Sequence, residues 1–322
     1  SVSLPSLPLE GWPANFQFKT INWPRLWTQA GLAKQTFKDK IDVLFIPAHT
    51  SPLIHKPGLK TVVTIHDLGV EYLPKYHQLK QLLYLKWISK FQLKNATKLI
   101  AVSKATKDDL VKKIKCDPAK IEVIYEGYNE NLFRPVKGDE LVNTLKQFDI
   151  EAGKYFPFVG TVQPRKNLAR LIQAFAKFSD KNQELRIKGE KTAKNPLILN
   201  TNPISLIIVG SRGWLSDDIY KLPKRLGIED QVKFLGHVDD QDLPALYSGA
   251  IALTFPSLFE GFGLPILEAQ ACGCPVLTSN ISSMPEVAGK AAIYVDPYLV
   301  EDIIRGMERI KKAVAKLEGI NF

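Results

Sequence analysis

Residues 251–269 constrain this chain more than any other stretch. An apolar run from Ile251 to Phe255 reads as a buried strand, Glu260 to Gly263 as a turn with glycine at Gly261 and Gly263, and Pro265 as the first residue of a helix. Proline loses nothing there, because the first N–H groups of a helix have no intrahelical partner. Those N–H groups and the positive end of the helix dipole favour an anion over Gly261, Phe262, Gly263 and Leu264, where a ligand can approach bare backbone. Two carboxylates flank the same turn: Glu260 before it and Glu268 one turn inside the helix. A phosphate would be repelled by both, so they are better suited to accepting hydroxyl groups at either end of a phosphate-linked ligand.

The same grammar of short apolar strand, turn and amphipathic helix recurs along the chain, which argues an α/β fold with two doubly wound parallel sheets facing each other across a cleft. At 322 residues, 45% hydrophobic and 24% charged, the chain is long enough for two such domains and apolar enough to bury their cores. We expect the first domain over residues 1–150, including a linker from Val136 to Gly153, and the second over residues 151–322. In the first, Thr61 to Asp67 is a strand ending in two polar side chains, which sets His66 and Asp67 at its carboxyl end, where ligands gather in open parallel sheets. A capped turn would use the same pair. Lys98 to Ser103 is a strand whose last residue, Ser103, is placed to cap a helix from Lys104 to Lys113.

In the second domain Tyr155 to Val162 is a strand leading to Gln163-Pro164-Arg165-Lys166-Asn167. An arginine, which offers a forked pair of donors, beside a lysine, which offers a compact charge, suits a diphosphate. The helix that follows should run through Phe178, and the polar stretch Ser179 to Asn202 reads as a surface insertion. Val232 to Val238 is a further strand. Asp240 and Asp242 have a spacing that metal-dependent transferases use, but they precede the apolar helix Leu243 to Ser248, and capping is the better reading.

The net charge of +10 is carried by dispersed lysines, with no arginine-rich arm and no zinc-finger or aromatic RNA-binding signature, which argues against nucleic acid. The helix from Tyr84 to Lys94 alternates Leu85, Trp87, Ile88 and Phe91 with Lys86, Lys90 and Lys94. It suits either core packing with a solvated lysine face or peripheral contact with an anionic membrane. Cys116, Cys272 and Cys274 make neither a disulfide framework nor a metal set, which favours a reducing, cytoplasmic setting. Neither a signal peptide nor a membrane-spanning run is visible in the sequence.

Taken together, Glu260 and Glu268 with seven residues between them, embedded in F-P-S-x-x-E-G-F-G-L-P-x-L-E-A and followed by C-G-x-P-V and S-S-x-P-E-V-A-G, resemble the signature of retaining, nucleotide-sugar-dependent glycosyltransferases of family 4. The resemblance covers nearly the whole chain and implies the GT-B architecture. It implies that Arg165 and Lys166, with Gly160, hold the donor diphosphate, that the Gly236 and Val238 backbone meets the base, and that Glu268 holds the ribose. It also implies that Glu260 meets the sugar, that His66 orients the donor from the first domain, and that Ser103 faces the cleft. No metal or further cofactor is implied. G-T-x-x-P-R-K-N, G-x-R-G-W and L-Y-S-G-A are most similar to mannosyltransferase-like members that build O-antigen and exopolysaccharide chains. The expected donor is thus GDP-mannose, with UDP-linked sugars as rivals, and the acceptor a glycan or lipid-linked glycan.

Such proteins open with a strand and glycine-rich loop ahead of the Pro-rich segment Ser1 to Ala14, and continue past Leu317 with helices that cross back to the first domain. The expectation is therefore a chain trimmed at both ends. Two alternatives remain from sequence. One is a binding module that holds nucleotide and transfers nothing. The other is a different GT-B enzyme: an epimerase, which the Glu260 and Glu268 pair disfavours, or a phosphorylase, for which a lysine-bearing cofactor motif is the deciding feature.

Overall fold

The computed structural model describes residues 13–23, 26–48, 50–68, 90–192 and 203–317. Most of the helix expected from Tyr84 to Lys94 and the Pro-rich start lie outside these. The first sheet holds β1 (Val43–Ile46), β2 (Lys60–Ile65), β3 (Lys98–Ala101) and β4 (Ile121–Val123), all parallel and in sequence order. Before it, a π turn at Trp27–Leu32 runs into α1 (Ala33–Lys38). After β3 comes α2 (Lys104–Asp109), prolonged by a π turn at Leu110–Ile114. This core is small and gathers Val63, Ile65, Leu99, Leu110, Ile114 and Ile121.

The stretch expected as a linker is instead helix α3 (Gly138–Gln147). Asp139 and Glu140 stand in its first turn, where the helix dipole favours them. Leu145 is buried in the second core together with Phe133. Apolar side chains at Leu141 and Leu145, four apart, give this short helix a face to bury, and that is why it docks rather than hangs free.

The second domain carries β5 (Tyr155–Val159), β6 (Ser205–Val209) and β7 (Val232–Gly236) in one parallel sheet, and β8 (Leu253–Phe255), β9 (Val276–Ser279) and β10 (Ala292–Val295) in another. The two meet edge to edge at β5 and β8. There the Ile251 N–H donates to the Tyr155 carbonyl at 2.9 Å and the Thr254 hydroxyl to the Pro157 carbonyl at 3.1 Å. The spatial order is therefore β7-β6-β5-β8-β9-β10, with the winding reversed between β5 and β8, and ligand crevices form at such a reversal. The expected double winding holds for this domain; the described strands of the first sheet wind one way only.

Helices α4 (Leu168–Thr192), α5 (Asp217–Arg225), α6 (Leu243–Ser248), α7 (Leu264–Ala271), α8 (Met284–Ala288) and α9 (Val300–Leu317) flank these strands. Helix α4 runs well past Phe178, where an insertion was expected. The residues after it, Lys181-Asn182-Gln183-Glu184-Leu185-Arg186, include good helix formers and neither glycine nor proline. Leu168, Leu171, Ile172, Phe175 and Phe178 bury one face of α4, and Lys177 and Lys181 pair with Glu301 and Glu308 of α9, each at 2.6 Å.

Candidate functional site

Two loops fill the crevice at the reversal point. The first leaves β5 through Gly160 and forms a tight turn at Pro164–Lys166. Asn167 then adopts a left-handed conformation, φ 61°. Its side-chain amide donates to the carbonyls of Pro256, at 3.0 Å, and Pro297, at 2.7 Å. The second loop leaves β8 at Pro256 and is stitched to the first by the Leu258 N–H, which donates to the Arg165 carbonyl at 3.0 Å.

Glu260 is buried at their junction. Its carboxylate accepts from Lys166 Nζ at 2.6 Å and from Arg165 Nη1 at 3.0 Å. Arg165 also donates to the Phe259 carbonyl at 2.8 Å and lies 3.9 Å from Asp67 of the first domain. The Lys166 ammonium stands over the Phe255 ring, 5.1 Å from its centre, and that ring stacks on Phe158 in the core at 5.7 Å. The two cations that the sequence assigns to a diphosphate are thus engaged with Glu260. A diphosphate arriving here meets cations already balanced by a carboxylate and must compete for them.

The first domain closes on this loop at Gly261. A Cβ there would stand 1.5 Å from the His66 carbonyl oxygen, so no other residue fits while the domains are in contact. The Gly261 carbonyl accepts the Ser103 hydroxyl at 2.7 Å and the Thr106 hydroxyl at 3.1 Å. Ser103 Oγ also accepts the Thr106 N–H, so Ser103 caps α2 and faces the other domain at once. Phe262 is buried against Tyr125, ring centres 6.2 Å apart. Gly263, φ 116°, is the N-cap of α7, which begins at Leu264, one residue before the proline expected to open it.

Glu268 lies one turn further along α7 and accepts the Tyr247 hydroxyl at 3.0 Å. Burial raises its pKa above the usual 4.5; the Tyr247 bond opposes this and the Asp240 charge adds to it. His66 follows β2 as expected. Its Nδ1 lies 2.6 Å from Glu126 Oε1 and its Nε2 2.8 Å from the Pro47 carbonyl. Both ring nitrogens face acceptors, an arrangement satisfied when the ring is doubly protonated. Burial pulls the His66 pKa down, but the bonds to Pro47 and Glu126 and the charges of Glu126 and Asp67 outweigh it and hold it above 6.5.

Gly236 and Val238 stand at the end of β7, two strands from the reversal. The Gly236 carbonyl receives the Gly210 N–H, and Val238 is buried. Asp242 occupies the N-cap position of α6 but makes no side-chain capping bond, contrary to the capping expected. Sequence reasoning also missed Glu126, Tyr247, Ser282, Ser283 and Glu286. Glu126 had a positional signal, since it stands three residues past the end of β4, on the same side of the sheet edge as the segment that follows β2. The others are hydrogen-bonding side chains whose partners lie far away in sequence.

Two Rossmann-like domains that meet over one such cluster form the GT-B architecture. The chain belongs to the glycosyl transferases group 1 family, whose model matches residues 143–318, while that of glycosyltransferase family 4 matches residues 8–132. It is 32% identical over 244 residues to O-antigen chain mannosyltransferase B of Escherichia coli, covering 76% of this chain and 59% of that protein. It is 29% identical over 274 residues to O-antigen chain mannosyltransferase RfbU of Salmonella typhimurium, covering 84% and 66%. The matched stretch therefore spans 59% and 66% of the length of these two curated relatives. The crystal structure of WaaG, a glycosyltransferase involved in lipopolysaccharide biosynthesis, superposes with a TM-score of 0.67 at 19% identity, covering 89% of this chain and 75% of that one. No helix among the described residues is long and apolar enough to cross a membrane.

Proposed function

We propose that the chain transfers a hexosyl group, mannosyl above others, from a nucleoside diphosphate sugar to a hydroxyl of a glycan or lipid-linked glycan, with retention at the anomeric carbon. The observation that carries this reading is the Glu260–Arg165–Lys166 cluster at the sheet reversal, beside the start of α7, with Glu268 one turn on. The similarity to two O-antigen mannosyltransferases supports the mannosyl preference.

In this reading the bond between the anomeric carbon and the diphosphate oxygen breaks while the acceptor oxygen bonds to the same face. The acceptor proton passes to the departing diphosphate. The barrier lies in charge separation. Arg165, Lys166 and the N–H groups that open α7 stabilise the leaving group electrostatically, so transfer should persist in a chelator. Glu268 accepts the ribose hydroxyls and Glu260 a sugar hydroxyl. His66 faces the donor from the first domain. No side chain is assigned as a nucleophile. Cytoplasmic action, with peripheral membrane contact through the lysine-rich stretch around Trp87, belongs to the same proposal.

The test is a calorimetric titration with GDP, UDP and ADP, with and without EDTA, on the wild type and on Arg165→Ala and Glu268→Ala. One nucleotide should bind, and each variant should weaken it by at least tenfold, since each loses a hydrogen bond to a charged group worth about 1.5–3 kcal/mol. Unchanged affinity in both variants would remove the basis of the site. Turnover of GDP-mannose with a glycan acceptor then separates a transferase from a binding module.

A further inference from the structure

Three donors of the first domain converge on one carboxylate of the second. Glu286 of α8 accepts the Lys104 N–H at 2.9 Å on Oε1, the Ala105 N–H at 3.2 Å on Oε2, and the Tyr125 hydroxyl at 2.8 Å on Oε1. Lys104 and Ala105 open α2, whose orphan N–H groups and positive dipole end favour a carboxylate. Ser103 satisfies the Thr106 N–H, and Glu286 satisfies the two donors before it. The end of a first-domain helix is thereby completed from the other domain.

The segment that carries Glu286 is anchored in the opposite direction too. Ser282, held at φ 57° in the left-handed region that serine rarely adopts, donates to the Glu260 carbonyl at 2.5 Å. Ser283 Oγ lies 2.6 Å from the Phe262 carbonyl and 3.0 Å from that of Glu260. One five-residue piece of chain, 282–286, therefore grips the Glu260 loop at one end and the first domain at the other.

We propose that Glu286 is a positioning residue for transfer, resting on the function proposed above. Its bonds form when the domains meet, and through Ser282 and Ser283 that closure fixes the loop holding Glu260. In an open cleft the carboxylate gives up all three donors, and the Glu260 loop is held from its own domain alone. Nucleotide binding within the second domain does not need Glu286; alignment of the donor with an acceptor does.

The test is a distance measurement between spin labels on cysteines introduced at the exposed Lys112 and Lys224. The three native cysteines are buried, so the labels report the introduced pair. Each variant is measured with saturating GDP alongside kcat and GDP affinity. Glu286→Ala should shift the closed-to-open ratio about tenfold toward open and lower kcat by a similar factor, with GDP affinity changed by less than about twofold. Glu286→Gln, which keeps one acceptor, should fall between. Tyr125→Phe removes one bond without touching the helix end and should show a smaller shift of the same sign, which keeps the idea testable if Glu286→Ala does not fold. An unchanged distance distribution overturns the proposal, as does a loss of GDP affinity that matches the loss of kcat. A wild type that transfers no sugar would refute the proposed function while the distances still report on Glu286.

Discussion

Glu260→Ala is the most demanding test of the site. In the wild type this carboxylate is 8% exposed and meets Lys166 at 2.6 Å and Arg165 at 3.0 Å, these side chains being 11% and 18% exposed. Removing one partner of a buried ion pair leaves the other charge uncompensated, at a cost of about 3–5 kcal/mol. Arg165 keeps the Phe259 carbonyl and lies near Asp67, so the lower end applies. For a domain of this size, about 3 kcal/mol lowers the melting temperature by roughly 6–12 °C. The second half of the prediction is less obvious. A nucleoside diphosphate brings negative charge to the stranded cations, and in the variant it no longer competes with Glu260. GDP should therefore raise the melting temperature of Glu260→Ala by more than it raises that of the wild type, while sugar transfer is lost. Differential scanning calorimetry with and without GDP at one concentration, about 100 times the wild-type Kd, where it adds about 2.7 kcal/mol to the wild type, reads both effects. Glu260→Gln, which keeps the shape and loses the charge, separates electrostatics from packing. A variant melting within about 2 °C of the wild type, or a smaller gain from GDP, would refute the reasoning, because the cations would then not depend on Glu260.

Gly261→Ala cannot coexist with the His66 carbonyl in the closed arrangement. Scattering should show a larger radius of gyration, and transfer should fall by at least about tenfold; an unchanged radius counts against domain contact at this point. In the proposed reading Glu268 accepts ribose hydroxyls as a carboxylate, and burial raises its pKa above 4.5. GDP affinity should accordingly weaken as pH falls toward 4.5, starting above that value, and Glu268→Gln should flatten the dependence. The raised His66 pKa means that its pairing contributes stability in full below 6.5, lost as pH rises through the folded value. Glu126→Gln should lower the titration midpoint of the His66 ring in an NMR pH series; a midpoint that does not move would detach Glu126 from His66.

The elements nearest the chemistry were the most legible in sequence. The apolar runs Thr61 to Asp67, Tyr155 to Val162 and Ile251 to Phe255 each gave a strand ending within three residues of its observed end, because a strand buried on both faces reads as a continuous apolar run. The placement of Arg165, Lys166 and Glu260 at one crevice follows from the strand order, which no local pattern encodes. Their direct pairing was missed because it spans about 95 positions and depends on two loops meeting. Helix α3 was misread since a short helix draws its stability from the surface that Leu145 enters, not from propensity. Glu286 was visible as part of a motif, but its partners belong to another domain, and side-chain chemistry alone does not say which helix end it will meet.

The perch of Lys166 has one more consequence. Its ammonium rests on Phe255, which stacks on Phe158 deep in the second core, so hydrocarbon forms the floor beneath the charge. A random mutagenesis screen scored on catalysis alone should return aromatic positions of β5 and β8 that never touch a substrate. Replacing Phe255 with leucine would leave a folded protein whose defect looks chemical while its origin is volumetric.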